Sequence, residues 1–121
     1  MNSKVEDQPE PTHSDHDIKN VWEEVIKDLD AEFQFSEDDD VYSHLLLDMK
    51  DRDTVGFERY GTHLQPFNGR NSLTDCYQEL LDALVYAKQA TIEKTLDLDT
   101  YYKILAMVVD FSGNVIYGDN Q

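Results

Sequence analysis

The feature that most limits what this chain can fold into is the segment from Ser72 to Thr91. Leu73, Tyr77, Leu80, Leu84 and Ala87 recur at three- and four-residue spacing, which predicts a helix that starts at Asn71 or Ser72 and runs to about Lys94. Leu81, Ala83 and Val85 fill the flanks, so the helix is apolar nearly all round. The exception is one narrow strip. At 3.6 residues per turn Asp75, Glu79 and Asp82 fall within an arc of about 60°, with Tyr86 continuing the line. An ordinary surface helix carries a broad polar face, so this pattern predicts burial on most sides with carboxylates held together.

Adjacent carboxylates raise one another's proton affinity unless a cation neutralises them, and Mg²⁺ prefers all-oxygen donors. On that reading Asp75, Glu79 and Asp82 are part of a metal site. The alternative takes Ser72-Leu73-Thr74-Asp75 as a capping box, with Asp75 serving the helix start.

The rest of the chain supplies further helices. Ile18, Val21, Trp22, Val25, Leu29 and Phe33 predict an amphipathic helix over 17–34, and Val41, Tyr42, Leu45, Leu46 and Met49 predict a second over about 37–50, opened by Ser36 and the acids that follow it. Residues 51–71 lose this periodicity. Gly56, Gly61, Pro66 and Asn68-Gly69 read as turns, and Phe57, Tyr60, Leu64 and Phe67 as apolar anchors of an ordered loop. Over 101–109 a helix opened near Asp99 and a strand fit equally well. Asp110 to Asn114 reads as a turn, followed by a short strand at Val115–Tyr117. The expected fold is mainly α, a small helical bundle with a short C-terminal β-hairpin as an option. Residues 1–16, with two prolines and few large apolar groups, are expected to be a disordered acidic tail, and 17–121 a single helical domain. His13 and His16 have metal-pair spacing but no fixed third ligand, which makes a poor site.

Charge narrows the function classes. The formal net charge is −16, and residues 1–40 hold 14 acids against 3 lysines. Such a field repels nucleic acid and anionic membranes, so neither is an expected direct partner. A divalent cation, a basic protein, or solubility alone are the remaining explanations. The single cysteine, Cys76, excludes an intramolecular disulfide and is expected to pack inside. With no signal-peptide pattern and no long apolar run, the cytoplasm is the expected location.

The segment Gln78-Glu79-Leu80-Leu81-Asp82-Ala83-Leu84-Val85-Tyr86 resembles the ExxD helix of the MazG-like all-α nucleotide pyrophosphohydrolases. Arg59-Tyr60-Gly61-Thr62, Leu64 and Asn68-Gly69-Arg70, with the helix after them, look like a recurrent pattern in small phage-encoded proteins of unassigned or MazG-like type. Together the resemblance covers about residues 48–91. It implies an Mg²⁺-dependent enzyme, acting in the host cytoplasm if phage-encoded, that cleaves a nucleoside triphosphate between the α and β phosphorus. Glu79 and Asp82 would hold the metal. In the family an ExxE pair on an earlier helix supplies the other carboxylates. Here Asp48-Met49-Lys50-Asp51 stands in that place, each acid shorter by one methylene; Glu23-Glu24 with Asp28 is richer but further away. An inactive relative that still binds nucleotide is equally consistent with that departure. Arg70 and Lys88 are candidate phosphate contacts, and Tyr60 or Phe67 a candidate platform for a base. Two or three helices cannot enclose a carboxylate strip alone, so a homo-oligomer is expected. The second expectation is a non-enzymatic inhibitor: an acidic phage protein whose N-terminal third docks on a basic host protein, imitating nucleic-acid charge.

Overall fold

The computed structural model describes residues 8–9, 19–34 and 39–118. The chain is mainly α, a small helical bundle: α1 (Val21–Phe33), α2 (Asp39–Tyr60), α3 (Ser72–Ile92) and α4 (Leu98–Tyr117). No strand occurs among the described residues. Most of the 1–16 tail, with His13 and His16, and the expected start of the second helix at 36–38 lie outside them. None of the described helices is long and apolar enough to cross a membrane. Two compact units divide the chain, Pro9–Arg70 and a second made of Asn71–Gln121 with the N-terminal residues through Gln8.

In the first unit α1 packs on α2. The Asn20 side chain caps α1 by accepting from Trp22 N at 2.9 Å, and Val21 N donates to Leu64 O at 2.8 Å, which ties the residues after α2 to the start of α1. Phe33 and Tyr42 bring their rings to 5.5 Å. The expected loop beginning at Asp51 is corrected here: α2 runs on to Tyr60. Its inward positions continue without a break through Tyr42, Leu45, Leu46, Met49, Asp53 and Gly56, all half-buried. The periodicity fades in sequence only because two of those slots hold an aspartate and a glycine. Gly61, at φ +74°, ends the helix, its N–H donating to Phe57 O at 2.8 Å.

The second unit is an α3–α4 hairpin whose turn spans residues 93–97. Asn71, rather than Ser72, caps α3, accepting from Thr74 N at 3.1 Å. Lys94, at φ +66°, reverses the chain, and Asp97, rather than Asp99, caps α4 by accepting from Thr100 N at 2.9 Å. The strand reading of 101–109, the turn at Asp110–Asn114 and the strand at Val115–Tyr117 are all corrected: one helix passes through them. Val108 and Val115 lie one heptad apart with Ile104 and Phe111 beside them, and that face packs against Tyr77 and Ala87 of α3. Contact along that whole face offsets the cost of roughly 1 kcal/mol for Gly113 in a helix interior. These four are the buried apolar residues among those described, and no side chain there is fully sealed from solvent.

Candidate functional site

Helix α3 carries the carboxylates that the sequence singled out. Asp75, Glu79 and Asp82 do lie along one side of it, as the spacing requires. That side faces outward, which corrects the expectation of an enclosed strip: Glu79 and Asp82 are exposed, Tyr86 on the same line is 67% exposed, and Val85, further round the helix, is 67% exposed as well. Neither Glu79 nor Asp82 has a hydrogen-bond or ion-pair partner among the described residues. Asp75 differs. It is half-buried, and its carboxylate accepts from Gln8 Nε2 at 2.7 Å while Gln8 Oε1 accepts from Asn71 N at 2.6 Å. Gln8 therefore bridges the helix start, and Asp75 has a structural role at the N-terminus without being the capping residue.

The remaining candidates are distributed as follows. Asp48 and Asp51 project from α2 one turn apart, both exposed, repeating on that helix the three-residue spacing of Glu79 and Asp82. Asp48 borders a shallow depression of about 340 Å³ with Asp40, Val41, His44 and Leu45. Lys88 sits on a different flank of α3 from the acids, its ammonium 5.0 Å from the centre of the Tyr101 ring, beside a mostly apolar depression of about 550 Å³ lined by Leu84, Val85, Ile92 and Tyr101 with Gln89 and Glu93. Arg70 donates from Nη1 to Pro9 O at 2.6 Å. Tyr60 is partly exposed, with the Arg59 guanidinium 5.4 Å from its ring centre.

Two further expectations are corrected. Phe67 is not a core anchor: it is 71% exposed and holds φ at +59°, where a bulky residue pays for its backbone. The neighbouring buried group is Asn68, whose Oδ1 accepts from Arg70 N at 3.2 Å and fixes the turn. Cys76 is exposed rather than packed.

One polar constellation had no counterpart in the sequence reading. His63 Nδ1 lies 2.6 Å from Asp53 Oδ1, Asn20 Nδ2 donates to Asp53 Oδ2 at 3.3 Å, and the Phe57 ring covers the imidazole at 4.6 Å. An aspartate in an inward slot of α2 is tolerated because both its oxygens are satisfied. The signal was the Gly61 reversal, which returns residue 63 to Asp53, about two turns back from the end of α2.

Among the described residues no group of three or more His, Cys, Asp or Glu side chains is placed to hold a metal ion by itself. The donors that fit Mg²⁺ chemistry are therefore pairs: Glu79 with Asp82, and Asp48 with Asp51. Hard oxygen pairs of this kind suit an ion that keeps several waters and is bound together with phosphate oxygens, rather than one caged wholly by protein. Comparison of the chain with protein-family models, with curated proteins and with solved structures gives no match in any of the three.

Proposed function

We propose that the chain binds an Mg²⁺-nucleoside triphosphate through Glu79 and Asp82, either as a pyrophosphohydrolase or as an inactive relative that retains the nucleotide. The observation that carries this reading is a pair of unpartnered carboxylates, one turn apart on the exposed side of an uninterrupted helix, in the residue context that resembles an ExxD helix. The metal would arrive on the phosphates, where it supplies charge neutralisation at the leaving group. Glu79 and Asp82 contribute the anionic oxygens that orient the complex, and their exposure leaves room for the coordinated waters. In the active version water adds to the α phosphorus, the bond to the bridging oxygen breaks, and nucleoside monophosphate and pyrophosphate leave. Lys88 lies on another flank and Arg70 is engaged by Pro9, so neither is assigned a role at that strip.

The test is incubation with Mg²⁺ and a panel of canonical and modified nucleotides, following both pyrophosphate release and nucleotide retention. Release by the wild type, abolished in Glu79→Gln and Asp82→Asn variants of unchanged helicity, supports the enzyme. Retention without release, lost in the same variants, supports the inactive relative. The absence of both release and retention overturns the proposal.

A second reading rests on a different observation. In α1 and α2, Glu23, Asp28, Asp30, Glu32, Asp39 and Asp40 are exposed, and no cation pairs with any of them among the described residues. Such a surface suits a basic protein partner, with the chain acting as an acidic inhibitor. Neutralising Glu23, Asp28, Asp30 and Glu32 together is then expected to weaken capture of that partner at least tenfold. A charge-matched control that neutralises Glu79, Asp82, Glu93 and Asp99 leaves it within about twofold. Equal losses in both variants would reduce the effect to net charge alone.

A further inference from the structure

Helix α4 is apolar on two faces, and the hairpin uses one. Val108 and Val115, with Ile104 and Phe111, face α3. Rotated about 110° from that face is a second stripe: Leu98, Tyr102, Leu105, Val109, Ser112 and Ile116, separated by four, three, four, three and four residues. This alternation is the heptad seam of a helix that pairs with another helix, and it spans the whole of α4. Leu98 is 56% exposed, Tyr102 57%, Val109 64% and Ile116 53%, while Leu105 and Ser112 between them are half-buried, so the hairpin leaves most of the stripe uncovered. The charged and amide side chains of α4, Asp99, Lys103, Asp110 and Asn114, all lie on the third side.

On α3 the same rotation from the core face leads to Val85 and Ile92. In an antiparallel pair of right-handed helices equal rotations bring the two stripes to the same side. That side includes the apolar depression between Val85, Ile92 and Tyr101. The hairpin therefore presents an apolar face along α4 that Val85 and Ile92 extend onto α3, where Lys88, Gln89 and Glu93 border it and Glu79 and Asp82 lie further round.

We propose that this face pairs with its copy in a second molecule, giving a symmetric dimer whose seam is α4 against α4 in antiparallel register. Three observations select a copy of this chain as the occupant. The seam is self-complementary only in one sense: antiparallel pairing centred near Met107 sets Tyr102 against Ser112, Leu105 against Val109 and Leu98 against Ile116. Each layer then joins an a-type to a d-type position, and the one large ring meets the one small side chain. A parallel pair would stack Tyr102 on Tyr102 and leave Ser112 on Ser112. The Ser112 hydroxyl already donates to Val109 O at 2.7 Å, so enclosing it leaves no unpaired donor. The area also suffices. A face about 30 Å long and two helices, about 20 Å, wide removes roughly 600 Å² per molecule and 1,200 Å² in total, the lower end of stable interfaces. Two hairpins so joined form a four-helix bundle, the arrangement in which an α-hairpin with two apolar faces closes its core.

The proposal is independent of the nucleotide reading, and its test reads mass rather than turnover. Sedimentation equilibrium of the full chain is expected to give twice the 14.0 kDa monomer mass. Val109→Glu, at an exposed position that leaves the hairpin core untouched, is expected to weaken pairing roughly a hundredfold or more while far-UV helicity is kept. In a Cys76→Ser background, a mixture of Tyr102→Cys and Ser112→Cys chains should form a disulfide-linked dimer under mild oxidation, and Ser112→Cys alone should not. A monomeric wild type, as when the Pro9–Arg70 unit of the same chain covers the stripe, overturns the proposal. So does a dimer that survives Val109→Glu, and efficient crosslinking of Ser112→Cys alone overturns the antiparallel register.

Discussion

The two units solve the same problem, two helices with little core between them, by different means. The α3–α4 hairpin relies on packing: Tyr77, Ala87, Val108 and Val115 are buried, both helices begin on a side-chain cap, and a short turn with Lys94 in a left-handed conformation joins them. The α1–α2 pair has no buried residue in either helix. It is held instead by half-buried apolar contacts and by polar ties at one end, where Asn20, Asp53 and His63 meet and Val21 N reaches Leu64 O. A packed hairpin has a rigid backbone on which a carboxylate pair keeps a fixed spacing. A loosely packed, acid-coated pair suits a surface that adapts to a partner.

The largest expected contrast comes from truncating one aromatic in each unit. Tyr77→Ala should cost about 3 kcal/mol, since it empties the hairpin core, and should melt α3 and α4 together. Trp22→Ala, at a half-buried position of α1, should cost about half that. Urea denaturation followed by far-UV circular dichroism measures both, and equal losses would remove the distinction between the units.

Next in size is the polar tie. Asp53→Ala removes the acceptor for both His63 and Asn20 and is expected to destabilise α1–α2 by about 1 kcal/mol, discounted for the partial exposure of the pair. Asp53→Asn should recover part of it. Indifference to both would leave apolar contact as the only tie.

The cap of α4 gives a pH-dependent effect. Hydrogen bonds from the Thr100 hydroxyl and then from its N–H hold the Asp97 carboxyl below its ordinary range. A depressed acid stabilises the fold at pH above its unfolded value and loses that contribution as the pH falls through its folded value. Asp97→Ala should therefore destabilise α4 near neutrality. The difference from wild type should vanish at acidic pH, and a pH-independent difference would place the effect elsewhere.

The smallest effects fall on two glycines of α2. Gly56 is helical with open space around its Cα, so Gly56→Ala should stabilise by roughly 0.5–1 kcal/mol. Gly61, at φ +74°, should lose about as much when replaced by alanine. The two melting shifts should have opposite signs.

How much of this was legible in the sequence follows from where polar residues sit. Helix α3 could be read nearly to the residue because its inward positions are all apolar and Asn71 and Ser72 mark its start. The second half of α2 was hidden because Asp53 and Gly56 occupy inward slots, and the reason Asp53 can do so, the return of His63 after Gly61, is a tertiary fact. In α4 the β-branched Val108, Val109, Val115 and Ile116 with Gly113 looked equally like strand and turn. Packing on α3 decides for helix. The spacing placed Glu79 and Asp82 on one side correctly. It could not say that this side faces outward, because α3 is apolar over more of its circumference than the single helix packed on it covers.

The central claim is that two carboxylates on that outward side receive a metal-bound triphosphate. Isothermal titration of the full chain with a non-hydrolysable α,β-methylene triphosphate, with and without Mg²⁺, tests it most directly. Mg²⁺-dependent binding by the wild type that falls at least tenfold in both Glu79→Gln and Asp82→Asn, with helicity unchanged, is the expected result. Binding that is absent, or that is the same in both variants, would contradict it.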